Sequence, residues 1–198
     1  FINPMADGVR EALEQWDEAD RDKVHIIFTA HSIPTGMARN SAYEAQLKEA
    51  CRIVAEDIIG REDYVLVYQS RSGPPQMPWL EPDICDYIEE VHNDKGVNDI
   101  IVVPIGFISD HMEVMYDLDT EAQELADELG MKMVRVPTVH TTKPFVRMVR
   151  DLIVERMTDN PERPALGKRP ANHDICPIDC CLPGERPKRP AAASQSAN

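Results

Sequence analysis

With 198 residues, 42% of them apolar and 28% charged, the chain is long enough for one α/β domain with its own core and reads as mostly globular. Its 21 Lys and Arg against 35 Asp and Glu give a net charge of −14, with the surplus confined to residues 1–157, where 15 basic groups face 30 acidic ones; residues 158–198 carry 6 and 5. So acidic a body repels phosphate backbones, which removes nucleic acid from the expected partners, and no apolar run reaches the roughly 18 residues of a transmembrane segment.

The opening FINPMADG starts on Phe1 rather than an initiator Met and shows no signal-peptide pattern. It is expected of a piece of a longer protein whose N-terminal half is missing, so that a site between the halves would be only partly present. Residues 4–16 predict a helix with Met5, Val9, Ala12, Leu13 and Trp16 on one face. KVHIIFTAHS (23–32) predicts a buried strand, bounded by charge and by Pro34. In 41–59, Tyr43, Leu47, Ala50, Cys51, Val54 and Ile58 recur at three and four, which predicts a helix capped by Ser41. A second strand follows at 63–69, then a Gly/Pro-rich loop, SRSGPPQMPWLEP, and a helix over 83–95. NDIIVVPI predicts a third strand. Met115, Leu118, Ala122, Leu125 and Leu129 mark a helix stopped by Gly130, MKMVRV predicts a fourth strand, and 144–157 a last helix.

Strands alternating with helices at these intervals imply a parallel sheet covered on both faces, an α/β fold. From Thr158 onward the composition turns Pro-rich, and the end, ERPKRPAAASQSAN, is expected to be disordered. Three segments are expected: an α/β domain over 1–157, a cysteine-bearing extension over 158–182 and a tail over 183–198.

Open parallel sheets bind ligands beyond the carboxyl ends of their strands. Here those ends carry His31; Gln69 and the loop with Trp79; Phe107, Asp110, His111 and Glu113; and Thr138, His140 and Thr141. His31 and Glu113 can therefore face one cleft across 82 positions of sequence. Each candidate also has a plainer role. Asp110-x-x-Glu113 fits a capping box, which would tie Glu113 to a backbone amide. His31 fits a satisfied histidine at a strand end, His111 a surface residue or a group orienting another ligand, and Trp79 either a plug under its loop or a flat wall for a flat ligand.

Of the five cysteines, Cys51 and Cys85 fall on or beside apolar helix faces and are expected in the core. Cys176, Cys180 and Cys181 sit where no apolar periodicity accounts for them. A tight trio in an odd count points to metal ligation in a reducing, cytoplasmic compartment rather than to a secreted disulfide framework.

Three stretches, FTAHSIP (28–34), VYQSRSGPPQMPWLEP (67–82) and VVPIGFISDHMEVMYDLD (102–119), resemble the C-terminal half of the ferrochelatase family, most closely its actinobacterial, coproporphyrin III type, over about residues 2–157. The resemblance implies a chelatase-like fold of two similar α/β halves around a porphyrin cleft, and insertion of Fe2+ into a porphyrin in haem biosynthesis. It implies that His31 and Glu113 bind Fe2+ or move protons at the ring centre, that Asp110 and His111 continue the proton path, and that Phe107 and Trp79 are apolar groups near the pocket. It also implies a 2Fe–2S cluster on Cys176, Cys180 and Cys181, with a fourth cysteine in the missing half. Porphyrin, Fe2+ and that missing half are the implied partners, and the piece alone is expected to be inactive. A related chelatase for another metal or tetrapyrrole, such as cobalt in the corrin pathway, and a non-catalytic haem or metal carrier are the alternatives.

Overall fold

The computed structural model describes residues 1–173, 175–178 and 180; Cys181 and the segment 183–198 lie outside the described residues. Four strands, β1 (His25–His31), β2 (Tyr64–Gln69), β3 (Asp99–Val103) and β4 (Lys132–Arg135), form one sheet in the order β2-β1-β3-β4, with every pair parallel. The helices are α1 (Ile2–Leu13), α2 (Thr35–Arg39), α3 (Tyr43–Arg52), α4 (Ile84–Lys95), α5 (Met112–Tyr116), α6 (Gln123–Glu128) and α7 (Lys143–Arg156). α3 runs on as a π-helix over Ile53–Ile59, and a second π-helix, Asp117–Ala122, joins α5 to α6.

The sheet is central because β1 is apolar on both sides. Ile26, Phe28 and Ala30 join Met5, Val9, Leu47, Cys51 and Val54 in a core under α1 and α3. Ile27 packs on the opposite face with Ile84, Ile88, Val114, Leu118 and Ala122, under α4 to α6. Period-two alternation thus distributes one strand between two cores, and each large side chain fully buried there stabilises the fold by about 1.5–3 kcal/mol. At the amino end of the sheet Trp16 locks α1 in place, donating from its indole to Asp99 at 2.6 Å under the Lys132 ammonium, 4.0 Å from the ring centre.

Several local expectations change. The N-cap of α3 is Ala42 rather than Ser41, although the Ser41 hydroxyl still accepts from the Tyr43 amide at 3.4 Å. Met115 is 46% exposed, and the buried row of its helix is Val114, Leu118, Ala122 and Ala126, because the π-helix shifts the phase. Cys51 is buried as expected, whereas Cys85 is only partly so.

The last helix buries no residue and leaves Val146, Val149, Leu152 and Ile153 exposed. Its contacts with the domain include the Phe1 amino group, 3.4 Å from the Met148 sulfur. Beyond it, the extension returns over α3, where the Lys168 amide donates to Glu49 at 2.6 Å. Among the described residues no helix is long and apolar enough to cross a membrane.

Gly106 lets the chain leaving β3 press against β1. Its amide donates to the Thr29 carbonyl at 3.0 Å, and a Cβ there would lie 2.7 Å from the Ala30 Cβ and 2.8 Å from the Ala30 Cα. Gly106→Ala is therefore expected to cost about 1–3 kcal/mol by overpacking, read as a lower denaturation midpoint at unchanged m-value. An unchanged midpoint would show that these segments are free to separate.

Candidate active site

His31 closes β1 opposite Gln69 of β2, and strand parity turns it, with Ile27 and Thr29, toward the α4–α6 side. Its Nδ1 meets the Ser32 carbonyl, to which a ring nitrogen can only donate, so in the neutral imidazole it is Nε2 that carries the lone pair. That Nε2 lies 3.4 Å from Oε1 of Glu113. Both groups are accessible, His31 one-third and Glu113 half exposed at the side chain, 33% and 50%. The Tyr43 hydroxyl, from the first residue of α3, donates to the His31 carbonyl at 2.9 Å and steadies the strand end.

Glu113 reaches His31 because it is not engaged in capping. The N-cap of α5 is His111, whose Nδ1 accepts from the Val114 amide at 3.5 Å. The capping-box reading of Asp110 and Glu113 is corrected accordingly. Asp110 turns the other way, pairing with Arg135 at 3.0 Å and with His140 Nε2 at 2.8 Å, and accepting from the Thr138 amide at 3.3 Å. Burial raises its carboxyl pKa, but the His140 hydrogen bond, the Arg135 charge and the Thr138 amide outweigh that, so the group sits below its ordinary value. Arg135 also grips Asp119, which fastens the end of β4 to the helix carrying Glu113.

His111 stands edge-on to the buried Phe107 ring, with centroids 5.5 Å apart. Trp79 belongs to a loop fastened along the segment after His31: Leu80 donates to the Ile33 carbonyl at 3.0 Å, the Ser32 hydroxyl to the Leu80 carbonyl at 2.8 Å, and the Thr35 amide to the Pro78 carbonyl at 3.0 Å. Its ring packs beside Gly73, and its indole nitrogen is buried with no hydrogen-bond partner among the described residues. The structure gathers His31, Glu113, His111 and Phe107 at one rim, links Asp110 to His140 beside them, and places Trp79 as the buttress of the neighbouring loop.

Composition and motif reading missed a second polar line. Thr29 donates to the Gln69 side chain at 3.0 Å, Gln69 to Asp117 at 3.2 Å, and Ser70 also donates to Asp117. Asp117 and Glu121 follow Glu113 at intervals of four, and both border a cavity of about 220 Å³ with Gln69, Ser70 and Cys85. The repeated spacing of three carboxylates was the available signal.

In the extension, donor atoms of His173, Cys176 and Cys180 lie within 4.8 Å of one another, a set suited to a thiophilic metal. Cys180 and Arg169 border a shallow hollow with Arg39, Ser41 and Ala42. Cys51 and Cys85 have no place in such chemistry: burial pushes both thiols up to about 12, in Cys85 with help from Asp83.

A family model described as ferrochelatase matches residues 1–157. The chain is 50% identical to a ferrochelatase of Rhodopirellula baltica over 98% of its own length and 54% of that protein. It is 45% identical to a coproporphyrin III ferrochelatase of Streptomyces coelicolor over 98% of itself and 56% of that protein. It thus spans about half the length of the curated relatives it matches. A solved cobalamin biosynthesis protein, CbiX of Marinobacter aquaeolei, overlaps 67% of this chain and 93% of its own at a TM-score of 0.45 and 17% identity. The matching family model and these relatives show that this chain belongs to the ferrochelatase family.

Proposed function

We propose that the protein inserts Fe2+ into a porphyrin in haem biosynthesis, with coproporphyrin III the favoured substrate since relatives carry that name. The observation that carries this reading is the imidazole nitrogen and carboxylate oxygen held 3.4 Å apart on an accessible rim. Insertion requires that the pyrrole N–H protons leave and that the ion shed its water. Bending the ring exposes its nitrogen lone pairs, and binding strain contributes about 1–5 kcal/mol to such distortion. The His31 Nε2 lone pair can ligate the incoming ion or accept a pyrrole proton; Glu113 supplies negative charge beside it and a further proton acceptor. His111, and Asp110 with its partner His140, carry protons from that pair toward solvent. Phe107 and Trp79 form apolar walls of the pocket.

Residues 1–157 act as the C-terminal half of the enzyme, and the upstream half supplies the opposite wall of the cleft. The exposed apolar residues of α7 support this, since they lack a covering layer among the described residues. The piece alone is then inactive. The extension, 158–182, holds a 2Fe–2S cluster through Cys176, Cys180 and Cys181, with a further ligand from the other half, and the protein works in the cytoplasm. The donor set in the extension supports the metal part of this reading.

In the intact protein, His31→Ala and Glu113→Gln are each expected to lower iron insertion by about 100- to 10,000-fold, and rates within about threefold of wild type in both would remove the assignment. Asp110→Asn is expected to cost about 1–3 kcal/mol of stability near neutral pH, measured by denaturant unfolding. The Asp110 pKa is depressed by folding. Its contribution is therefore complete above its unfolded pKa, about 3.9, and is lost as pH falls through the lower folded value. The variant should show a correspondingly flatter acid limb of stability, and an identical limb would contradict the ion pair.

A further inference from the structure

On one side the sheet stops supporting β1 before it reaches His31. In a parallel ladder the amide and carbonyl of one residue face the same neighbouring strand, and successive residues alternate between neighbours. Thr29 faces the β3 side: its carbonyl accepts from the Gly106 amide at 3.0 Å, and the register of β1 on β3 ends at Phe28 with Val103. Ser32 faces the β2 side, its amide donating to the Gln69 carbonyl at 2.8 Å. The His31 carbonyl, two residues beyond Thr29, therefore points to the β3 side past the last rung. There it accepts from the Tyr43 hydroxyl at 2.9 Å. A side chain takes the place of the strand that has ended.

Tyr43 is fitted for this task. Its ring packs against the core beneath α1 and α3, and its amide donates to the Ser41 hydroxyl at 3.4 Å where the chain turns into α3. Burial pushes the phenol above its ordinary pKa, so the hydroxyl keeps the proton it donates. The peptide group that joins His31 to Ser32 is thus held at both ends, its carbonyl by Tyr43 and its amide by Gln69. The imidazole takes its bearing from that group: Nδ1 meets the Ser32 carbonyl just beyond it, and Nε2 lies 3.4 Å from Glu113. The pleat of β1 decides which face of the sheet carries the ring, but a tilt of this one peptide would still move Nε2 away from the carboxylate. We infer that Tyr43 is a positioning residue of the iron-insertion site, its hydroxyl holding the His31–Ser32 peptide so that the imidazole stays opposite Glu113. This rests on the proposed role of His31. Tyr43 acts through His31 and is not itself a catalytic residue.

The test compares the intact protein with its Tyr43→Phe and His31→Ala variants. Tyr43→Phe keeps the ring in the core and removes only the donor, so circular dichroism should not change. Misplacing a reacting group by about 1 Å can cost about 100-fold, and the kcat of Fe2+ insertion should accordingly fall by about 10- to 100-fold in Tyr43→Phe, with the KM for porphyrin within about twofold of the parent. Imidazole nitrogen NMR on histidine-labelled protein supplies a readout that loss of stability alone would not move. The signals of His31, identified by their absence in His31→Ala, should shift in Tyr43→Phe, while those of His25, at the opposite end of β1, stay in place. Turnover by Tyr43→Phe within about threefold of the parent, while His31→Ala is inactive, overturns the role of Tyr43 alone. A fall in kcat with the His31 signals unmoved overturns it equally, because the loss then does not pass through His31. Full activity in His31→Ala overturns the proposed role of His31, and this inference with it.

Discussion

The pleat of β1 is the constraint on which the site depends. Ile26, Phe28 and Ala30 must enter the core beneath α1 and α3, so the intervening Ile27, Thr29 and His31 must face the other way. A slip of one residue against β2 would turn the imidazole toward the α1 and α3 side and drive Phe28 into the packed layer under α4 to α6. Pairing on both sides, His31 with Gln69 and Ile27 with Val102, makes that slip prohibitive. The energy that fixes which face carries the imidazole therefore comes from buried hydrocarbon well below it, not from anything at the rim.

The rim itself is stiffened by polar braces outside the reacting pair. Asp110, Arg135 and Asp119 fasten the loop before α5 to the end of β4 and to the turn after Glu113. Thr29, Gln69 and Asp117 fasten the same helix to β1 and β2. Glu113 itself is spared these ties. It is held by its backbone and keeps a free carboxylate, while His111 performs the capping that sequence spacing assigned to Asp110.

The parallel sheet, its strand ends and the approach of His31 to Glu113 were legible because alternation and helical spacing report burial directly, and these strands are buried on both faces. What was not legible depends on partners distant in sequence. Nothing around Asp110 announces that Arg135 and His140 will claim it, and nothing in a D-x-x-E pattern distinguishes a cap from a carboxylate held aside. Met115 was misplaced because a fixed period of 3.6 was applied through a stretch that does not keep it. The exposed face of α7 was unreadable for another reason: helical spacing marks an apolar stripe but does not say which surface meets it.

The wide turns over Asp117–Ala122 set a limit on how this region can change. In a regular helix, residues four apart drift round the axis by about 40° at each step, so a long row at that spacing winds away from whatever it faces. Here Val114, Leu118, Ala122 and Ala126 stay under the sheet, while Glu113, Asp117 and Glu121 keep the same interval on another side. The looser coil absorbs the drift for both rows at once. Loss of a single residue from this stretch would tighten it into an ordinary spiral and leave oil and acid out of step, so natural variation here should run to exchange of side chains and not to change of length.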